Sequence, residues 1–387
     1  MSVTAAGGFV ASGVRAAIRR DKKDVAVVRS LPAATGAAMW TQNRVQAAPV
    51  TVSKQHLALA EPQAVVINSG VANAATGAQG EADARATAEH AAALLGLAPE
   101  QVIVLSTGVI GAPLPLDRVT LGVDAAVAAL SADGGDDAAE AILTTDTHAK
   151  QAVARGTGFT VGGMAKGSGM IHPVLATMLA VVTTDYPLEP GEAIDFLRPA
   201  VERSFNSISV DGECSTNDAV CLLANGASGI ERTPASDVAF ALALGRVCSD
   251  LAAQIVADGE GATVLAEIEV SGAVDESQAR AIAARIATSP LVKTALFGHD
   301  ANWGRVLAAA GSAPHNGGFA SVEAARVTLS YNGTMVLERG APSGVEPDVS
   351  NGSCRIELDL GLGSGAASYL TTDLSYDYVR INADYRT

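Results

Sequence analysis

Met178 to Val182 is an unbroken apolar run, closed on its C-terminal side by Thr183-Thr184-Asp185. So short a run with polar bounds reads as a buried strand. What precedes it is as informative. Lys166-Gly167-Ser168-Gly169-Met170-Ile171-His172-Pro173 is a glycine-rich polar loop that leads through Val174-Leu175-Ala176 into Thr177. A threonine between such a loop and a buried strand is well placed for self-cleavage. Its hydroxyl can attack the carbonyl of Ala176, pass through an ester, and leave Thr177 as a new N-terminus. The freed α-amine, with a pKa near ~8, can then act as base for the hydroxyl of the same residue. Ala176 does not crowd the attack, and Gly167 and Gly169 reach backbone angles that other residues resist. A threonine opening a strand also has a purely structural reading, which is common. The residues alone leave both readings open.

The rest of the chain mixes short apolar runs with helical patterns. Gly7 to Val14 reads as a loop or short edge strand. Asp24 to Val28, Ala64 to Ile67, Val102 to Leu105, Phe159 to Met164, Ser207 to Val210, Ala219 to Ala224 and Thr263 to Val270 read as strands. Glu81 to Leu95 repeats alanine and leucine at helical spacing, with Gly96 placed to cap the end. Gly191 to Phe205, Ser236 to Ala257 and Glu276 to Ala287 are further helices, the last with Asp275 as N-cap. Short strands are expected again at Val327 to Tyr331, Met335 to Leu337, Arg355 to Leu360 and Tyr378 to Asn382, with Gly361 to Gly365 a loop. This is an α/β chain. Its 387 residues suggest two lobes or one large unit, and Ser271 to Asp275 is the expected boundary to a C-terminal lobe.

Charge limits the partners. The chain holds 26 Lys and Arg against 41 Asp and Glu, a formal charge of −15. That argues against nucleic acid and anionic membranes as partners. No stretch of ~18–20 apolar residues is expected to span a membrane, and no signal peptide is read at the N-terminus. The four cysteines, Cys214, Cys221, Cys248 and Cys354, form no C-x-x-C pair. A reducing cytoplasm is the simplest setting. The histidines lack metal-ligand spacing, and neither a strand-linked G-x-G-x-x-G nor a G-x-x-x-x-G-K-[ST] is present. Neither a metal nor a cofactor is therefore expected.

Several residues can carry chemistry. Thr107-Gly108 follows a buried strand, where a turn can aim N–H groups at a developing oxyanion; an ordinary strand-to-loop turn is the plain alternative. Lys166 can hold a substrate carboxylate, or be a solvated loop lysine. Thr144 sits among hydroxyls that can bind substrate or cap a turn. Glu260, in a glycine-rich turn, can hold an ammonium group or merely end a helix. His172 is read as a loop-packing residue rather than a base, and Cys214 as packing rather than a nucleophile.

Lys166 to Leu179 resembles the cleavage-site motif of the ornithine acetyltransferase (glutamate N-acetyltransferase) family, roughly K-G-S-G-M-I-H-P-x-x-A-T-M-L. Six further blocks agree in family order: Ser106 to Gly111, Thr144 to Thr147, Ser215 to Asp218, Asp258 to Thr263, Asp300 to Arg305 and Asn382 to Thr387. Val71 and Ala75 depart from the family's usual Asn and Cys. The resemblance implies a layered α/β/β/α sandwich like that of N-terminal-nucleophile enzymes, with its own connectivity, plus a smaller C-terminal α/β lobe. It implies cleavage between Ala176 and Thr177 into an α chain, 1–176, and a β chain, 177–387, assembled as α2β2. Thr177 would be the nucleophile, and Thr107 and Gly108 the oxyanion hole. Thr144, Lys166, Thr177, Glu260, Asn382 and Thr387 would contact substrate. The implied activity moves acetyl from N-acetylornithine to glutamate in arginine biosynthesis, with acetyl-CoA an open question as a second donor. An N-terminal-nucleophile amidohydrolase or aminopeptidase is the alternative, and an uncleaved binding protein a third reading.

Overall fold

The computed structural model describes residues 2–172 and 178–384. The expected cleavage junction at Ala176 and Thr177, and Thr387, lie outside the described residues. Two compact units emerge. The first holds the chain up to Asn206 and Glu213–Ile255; the second holds Ser207–Gly212 and residues 256–384.

Strands up to residue 224 are, in chain order, β1 (Phe9–Val14), β2 (Val25–Ser30), β3 (Thr35–Trp40), β4 (Ala64–Val71), β5 (Val102–Val109), β6 (Lys150–Gly156), β7 (Phe159–Lys166), β8 (Leu179–Thr184), β9 (Ile208–Ser209) and β10 (Ala219–Ala224). The helices over the same stretch and just beyond are α1 (Ala48–Leu57), α2 (Gly77–Leu95), α3 (Leu116–Ala128), α4 (Gly135–Ala141), α5 (Ala193–Glu202) and α6 (Pro234–Ala257). The first unit contains two sheets, ordered β1-β2-β4-β5 and β3-β10-β8-β7-β6. Strand alternation assigns each side chain to a layer. Ala26, Val28, Val65, Ile67, Ile103 and Leu105 of the first sheet share a core with Met164, Leu179, Val181, Cys221 and Leu223 of the second. Val25, Val27, Val66, Val102 and Val104, one residue out of phase, pack instead on Ala84, Ala88, Ala91 and Leu95 of α2 and Val119 and Val123 of α3. The second sheet's outer face meets α6. Val247 and Leu251 come within 3.0 Å of where a Cβ on Gly163 would stand, a tighter approach than a side chain there would ordinarily meet. The first unit is thus the expected α/β/β/α sandwich.

Helix α6 is the long apolar helix expected over 236–257. At 24 residues it is long and apolar enough to cross a membrane by length and composition. Its face of Phe240, Leu244, Val247, Leu251 and Ile255 is buried, and the Phe240 ring stacks on Tyr186 at 4.6 Å. The apolar length serves sheet packing.

In the second unit the strands continue as β11 (Leu265–Ala273), β12 (Pro314–His315), β13 (Gly318–Phe319), β14 (Thr328–Tyr331), β15 (Thr334–Glu338), β16 (Ala341–Pro342), β17 (Ser353–Asp359) and β18 (Gly365–Thr372), and the helices as α7 (Glu276–Ala287), α8 (Pro290–Phe297), α9 (Trp303–Ala310) and α10 (Tyr376–Asp384). Its main sheet runs β16-β15-β14-β17-β11-β18-β9. Ile282, Ala283 and Ile286 of α7 share the core of this unit with Ile268, Val270 and Ile356. Asp275 caps α7 as expected, accepting the Gln278 N–H at 2.8 Å. Two expectations differ from the structure. The division falls after Ile255 rather than near 271–275, because β11 is an interior strand of the second sheet, paired with both β17 and β18. The C-terminal Tyr378 to Asn382 is not a strand but part of α10.

Candidate active site

The parallel strands β4 and β5 end side by side, pairing Ser69 with Thr107 and Gly70 with Gly108. Both glycines have positive φ, 107° and 129°. A Cβ on Gly108 would lie 2.3 Å from the Gly70 carbonyl carbon, so the close approach and the backbone angle both require glycine. Thr107 is buried, and its Oγ1 accepts a hydrogen bond from Lys166 Nζ at 3.3 Å. The sequence left Lys166 open to being a solvated loop lysine. Instead it closes β7, is 2% exposed, and pairs across the ladder with Leu179.

A buried carboxylate organises what surrounds this lysine. Asp146 Oδ1 accepts Lys150 Nζ and the Gly167 N–H, each at 2.6 Å. Its Oδ2 accepts the Thr144 N–H at 2.9 Å. The side chains of Asp146 and Lys150 are both fully buried. Burial pushes the Asp146 carboxyl up. The charges of Lys166 and Lys150, the Lys150 hydrogen bond and the Thr144 N–H outweigh that and hold it below the usual carboxylate range. One anion therefore fixes both Thr144 and Gly167 and sets the field around Lys166. Arg19 adds a second clamp, donating Nη2 to the Thr144 carbonyl at 2.9 Å and Nη1 to the Leu143 carbonyl.

The strands after the loop contribute two residues to which sequence reasoning gave no role. Asp218 immediately precedes β10 and is fully buried, and its Oδ1 accepts the Met178 N–H at 2.9 Å. Burial drives its carboxyl well above the ordinary range, against the Met178 N–H, the Lys166 charge and Ser215. Asn217 donates Nδ2 to the carbonyls of Ala72 and Ser106 at 2.6 and 2.8 Å. It thereby ties the start of β10 to the residue before Thr107. The Ser215-Thr216-Asn217-Asp218 block was visible in the sequence; these contacts link residues 40 to 145 positions apart, and no local pattern encodes them.

Glu260 and Asn382 belong to the second unit, and the structure brings them together. Asn382 Nδ2 donates to Glu260 Oε2 at 2.9 Å. A Cβ on Gly261 would lie 2.4 Å from the Tyr378 nitrogen, so the glycine-rich turn and α10 fit closely. Thr107, Gly108, Thr144 and Lys166 form the group in the first unit.

Cys214 is half-buried, and burial raises its thiol pKa, the reverse of an activated nucleophile. Burial lowers the His172 pKa. No group of three or more His, Cys, Asp or Glu able to hold a metal occurs among the described residues. Val71, at the first departure from the family pattern, packs against the core under α2 and α3.

Residues 10–387 match the model of the ArgJ family. The arginine biosynthesis bifunctional protein ArgJ of Symbiobacterium thermophilum is 48% identical over 400 residues, covering 100% of this chain and 98% of that protein. The protein of the same description from Thermobifida fusca is 46% identical over 391 residues, covering 100% of both. Among solved structures, ornithine acetyltransferase complexed with ornithine from Mycobacterium tuberculosis shares 43% identity, with a TM-score of 0.42, over 44% of this chain and 94% of that one. With the family match running over nearly its whole length, the chain belongs to the ArgJ family.

Proposed function

We propose that this chain is a glutamate N-acetyltransferase of the ornithine acetyltransferase type, acting in arginine biosynthesis. The observation that carries the reading is the buried Lys166–Thr107 contact beside Gly108, at the start of the loop that leads to Thr177. Family membership over residues 10–387 supports it.

In this reading Thr177 Oγ attacks the Ala176 carbonyl, the peptide becomes an ester, and water releases Thr177 with a free α-amine. The β chain so formed begins Thr-Met-Leu-Ala. The Asp218 bond to the Met178 N–H holds the chain one residue beyond the nucleophile. In the transfer reaction the α-amine takes the Thr177 hydroxyl proton as the oxygen attacks the acetyl carbonyl of N-acetylornithine. Negative charge develops on that carbonyl oxygen, where Thr107 and Gly108 act as donors. Collapse expels ornithine, whose leaving nitrogen takes the proton, and leaves acetyl on Thr177. The amine of glutamate then attacks this ester and restores the enzyme, giving ping-pong kinetics. Lys166 and Thr144 are the substrate contacts of the first unit in this reading, and the family resemblance adds Glu260, Asn382 and Thr387 as further residues suited to an amino acid bearing both ammonium and carboxylate. The processed chains assemble as α2β2, in a cytoplasmic setting that suits four free cysteines.

The test is acetyl transfer from N-acetylornithine in the presence and absence of glutamate. Acetylglutamate formed with parallel double-reciprocal plots is expected. Acetate release without glutamate, and no transfer with it, would identify an amidohydrolase instead.

A further inference from the structure

Glu260 stands between two glycines, Gly259 and Gly261, in the turn that leads into β11. Gly261 has φ 68°, and glycine on both sides gives the backbone little preference of its own for one position. A carboxylate that must meet an ammonium group at a fixed place therefore needs its turn held from outside. The support comes from the segment between β18 and α10. Asp373 Oδ1 accepts the Thr263 N–H at 2.8 Å and the Val264 N–H at 3.0 Å, and its Oδ2 accepts the Thr263 hydroxyl at 2.6 Å. Two residues on, Ser375 Oγ donates to the Gly261 carbonyl at 2.6 Å and accepts the Tyr378 N–H at 3.1 Å.

Asp373 is itself fixed. It is 3% exposed, and a buried carboxylate is costly unless it is hydrogen-bonded and compensated. Lys293 of α8, also buried, feels its charge. The same lysine donates Nζ to the hydroxyls of Thr371 and Thr372, each at 3.1 Å, and to the Thr372 carbonyl. On the far side the Leu374 N–H returns to the Lys293 carbonyl at 3.1 Å. Residues on both sides of Asp373 are thus tied to one helix.

A brace for the sheet alone does not account for this side chain. The β11–β18 ladder already pairs Leu265 with Thr372, and the Asp373 N–H extends it to the Val264 carbonyl at 3.2 Å. Backbone bonds therefore set the register without the carboxylate. What the carboxylate adds falls on Thr263 and Val264, the residues between the ladder and Glu260. We propose that Asp373 is a positioning residue for the transfer reaction: by holding the turn, it sets where the Glu260 carboxylate meets the ammonium group of the substrate. The assignment rests on the reading of Glu260 as an ammonium-binding residue.

Asp373→Ala, Asp373→Asn and Thr263→Val, each alone and beside Glu260→Gln, test this in the full chain, with thermal unfolding to check that each variant is folded. Kinetics with N-acetylornithine give KM and kcat, and hydrogen exchange gives the protection of the Thr263 and Val264 amides. Asp373→Ala should lower kcat/KM about tenfold, mainly through KM, because it disturbs binding rather than chemistry; both amides should exchange faster. Asparagine keeps an acceptor for the two N–H groups and can donate to the Thr263 oxygen, so Asp373→Asn should stay within about threefold of wild type. Thr263→Val, at an exposed position, removes one contact only and should raise KM less, in the same direction; it carries the test if Asp373→Ala does not fold. Beside Glu260→Gln the same substitutions should cost little more, since the carboxylate they position is gone. The proposal is overturned if neither Asp373→Ala nor Thr263→Val raises KM, or if their losses are undiminished beside Glu260→Gln, as a purely structural brace would give. Wild-type kinetics in Glu260→Gln alone would count instead against the ammonium-binding reading, and amide exchange in Asp373→Ala would still show whether Asp373 holds the turn.

Discussion

Asp146 is the residue whose removal should reach furthest, because four groups depend on it. It neutralises the fully buried Lys150, receives the N–H groups of Gly167 and Thr144, and feels the charge of Lys166. Asp146→Ala leaves a buried ammonium without its anion, which typically costs about 3–5 kcal/mol. It also strands two N–H groups, each worth roughly 1–3 kcal/mol if left unsatisfied. Water entering the new space will satisfy part of this, so we expect a net loss near 4 kcal/mol. Asp146→Asn/Lys150→Met removes charge from both partners and should recover about half, since only the N–H groups then remain poorly served. The pH sign follows from the depressed carboxyl. Its stabilisation is complete above the unfolded-state value, near ~3.9, and is lost as pH falls through the folded value. The wild type should therefore lose more stability on acidification than Asp146→Asn/Lys150→Met. Urea unfolding across pH, with gel analysis of fragment formation, measures both consequences. Because Gly167 opens the cleavage loop, Asp146→Ala should also slow self-cleavage. A variant as stable as wild type that cleaves at the wild-type rate would refute this reasoning.

Further perturbations separate the remaining roles. Thr107→Ala should fold, keep its melting temperature within a few degrees, and lose about 10²-fold or more in kcat as an oxyanion donor is lost or displaced; unchanged turnover in stopped assays would remove Thr107 from the catalytic group. Deleting 382–387 should lower transfer while leaving fragment formation largely intact, because Glu260 loses its Asn382 partner and the cleavage loop is untouched; full transferase activity after the deletion would count against a substrate role for this end of the chain. Burial lowers the Lys293 pKa to about 8, against the charges of Asp373 and Asp211. The unfolded chain then holds the extra proton between about 8 and the free-lysine value of ~10.4, so this group makes stability rise with pH across that window, by roughly 3 kcal/mol. Lys293→Met should remove that rise, and an identical pH–stability profile in the variant would refute it.

Much of the fold was legible because strands buried on both faces announce themselves. Val25 to Val28, Ala64 to Ile67 and Val102 to Leu105 are apolar at every position, and the structure covers both of their faces. Gly96 was readable as a cap because a left-handed residue closes α2, at φ 68°. The end of the chain misled. Tyr378 to Asn382 carries apolar residues at spacings that suit a short strand, yet α10 buries none of its residues, so no core face imposed a period on the sequence. At the site, Lys166, Thr107 and Gly108 stood in recognisable blocks, but their convergence depends on the β4–β5 and β7–β8 registers. Asp146 sat in plain view within Thr144 to Thr147, where its neighbours' hydroxyls drew the reading. Its importance comes from Lys150, one helical turn's spacing away in sequence but placed on β6, and from Gly167, 21 residues on.

The central claim is that acetyl passes through Thr177 after the chain cuts itself. Intact-mass measurement of the purified protein, before and after brief incubation with N-acetylornithine alone, tests it most directly. The account predicts two fragments divided between Ala176 and Thr177, the second gaining a single acetyl group that glutamate then removes, and a Thr177→Ala chain that stays whole and unlabelled. A single uncut chain that still transfers acetyl to glutamate, or an acetyl group found on any residue other than Thr177, would contradict it.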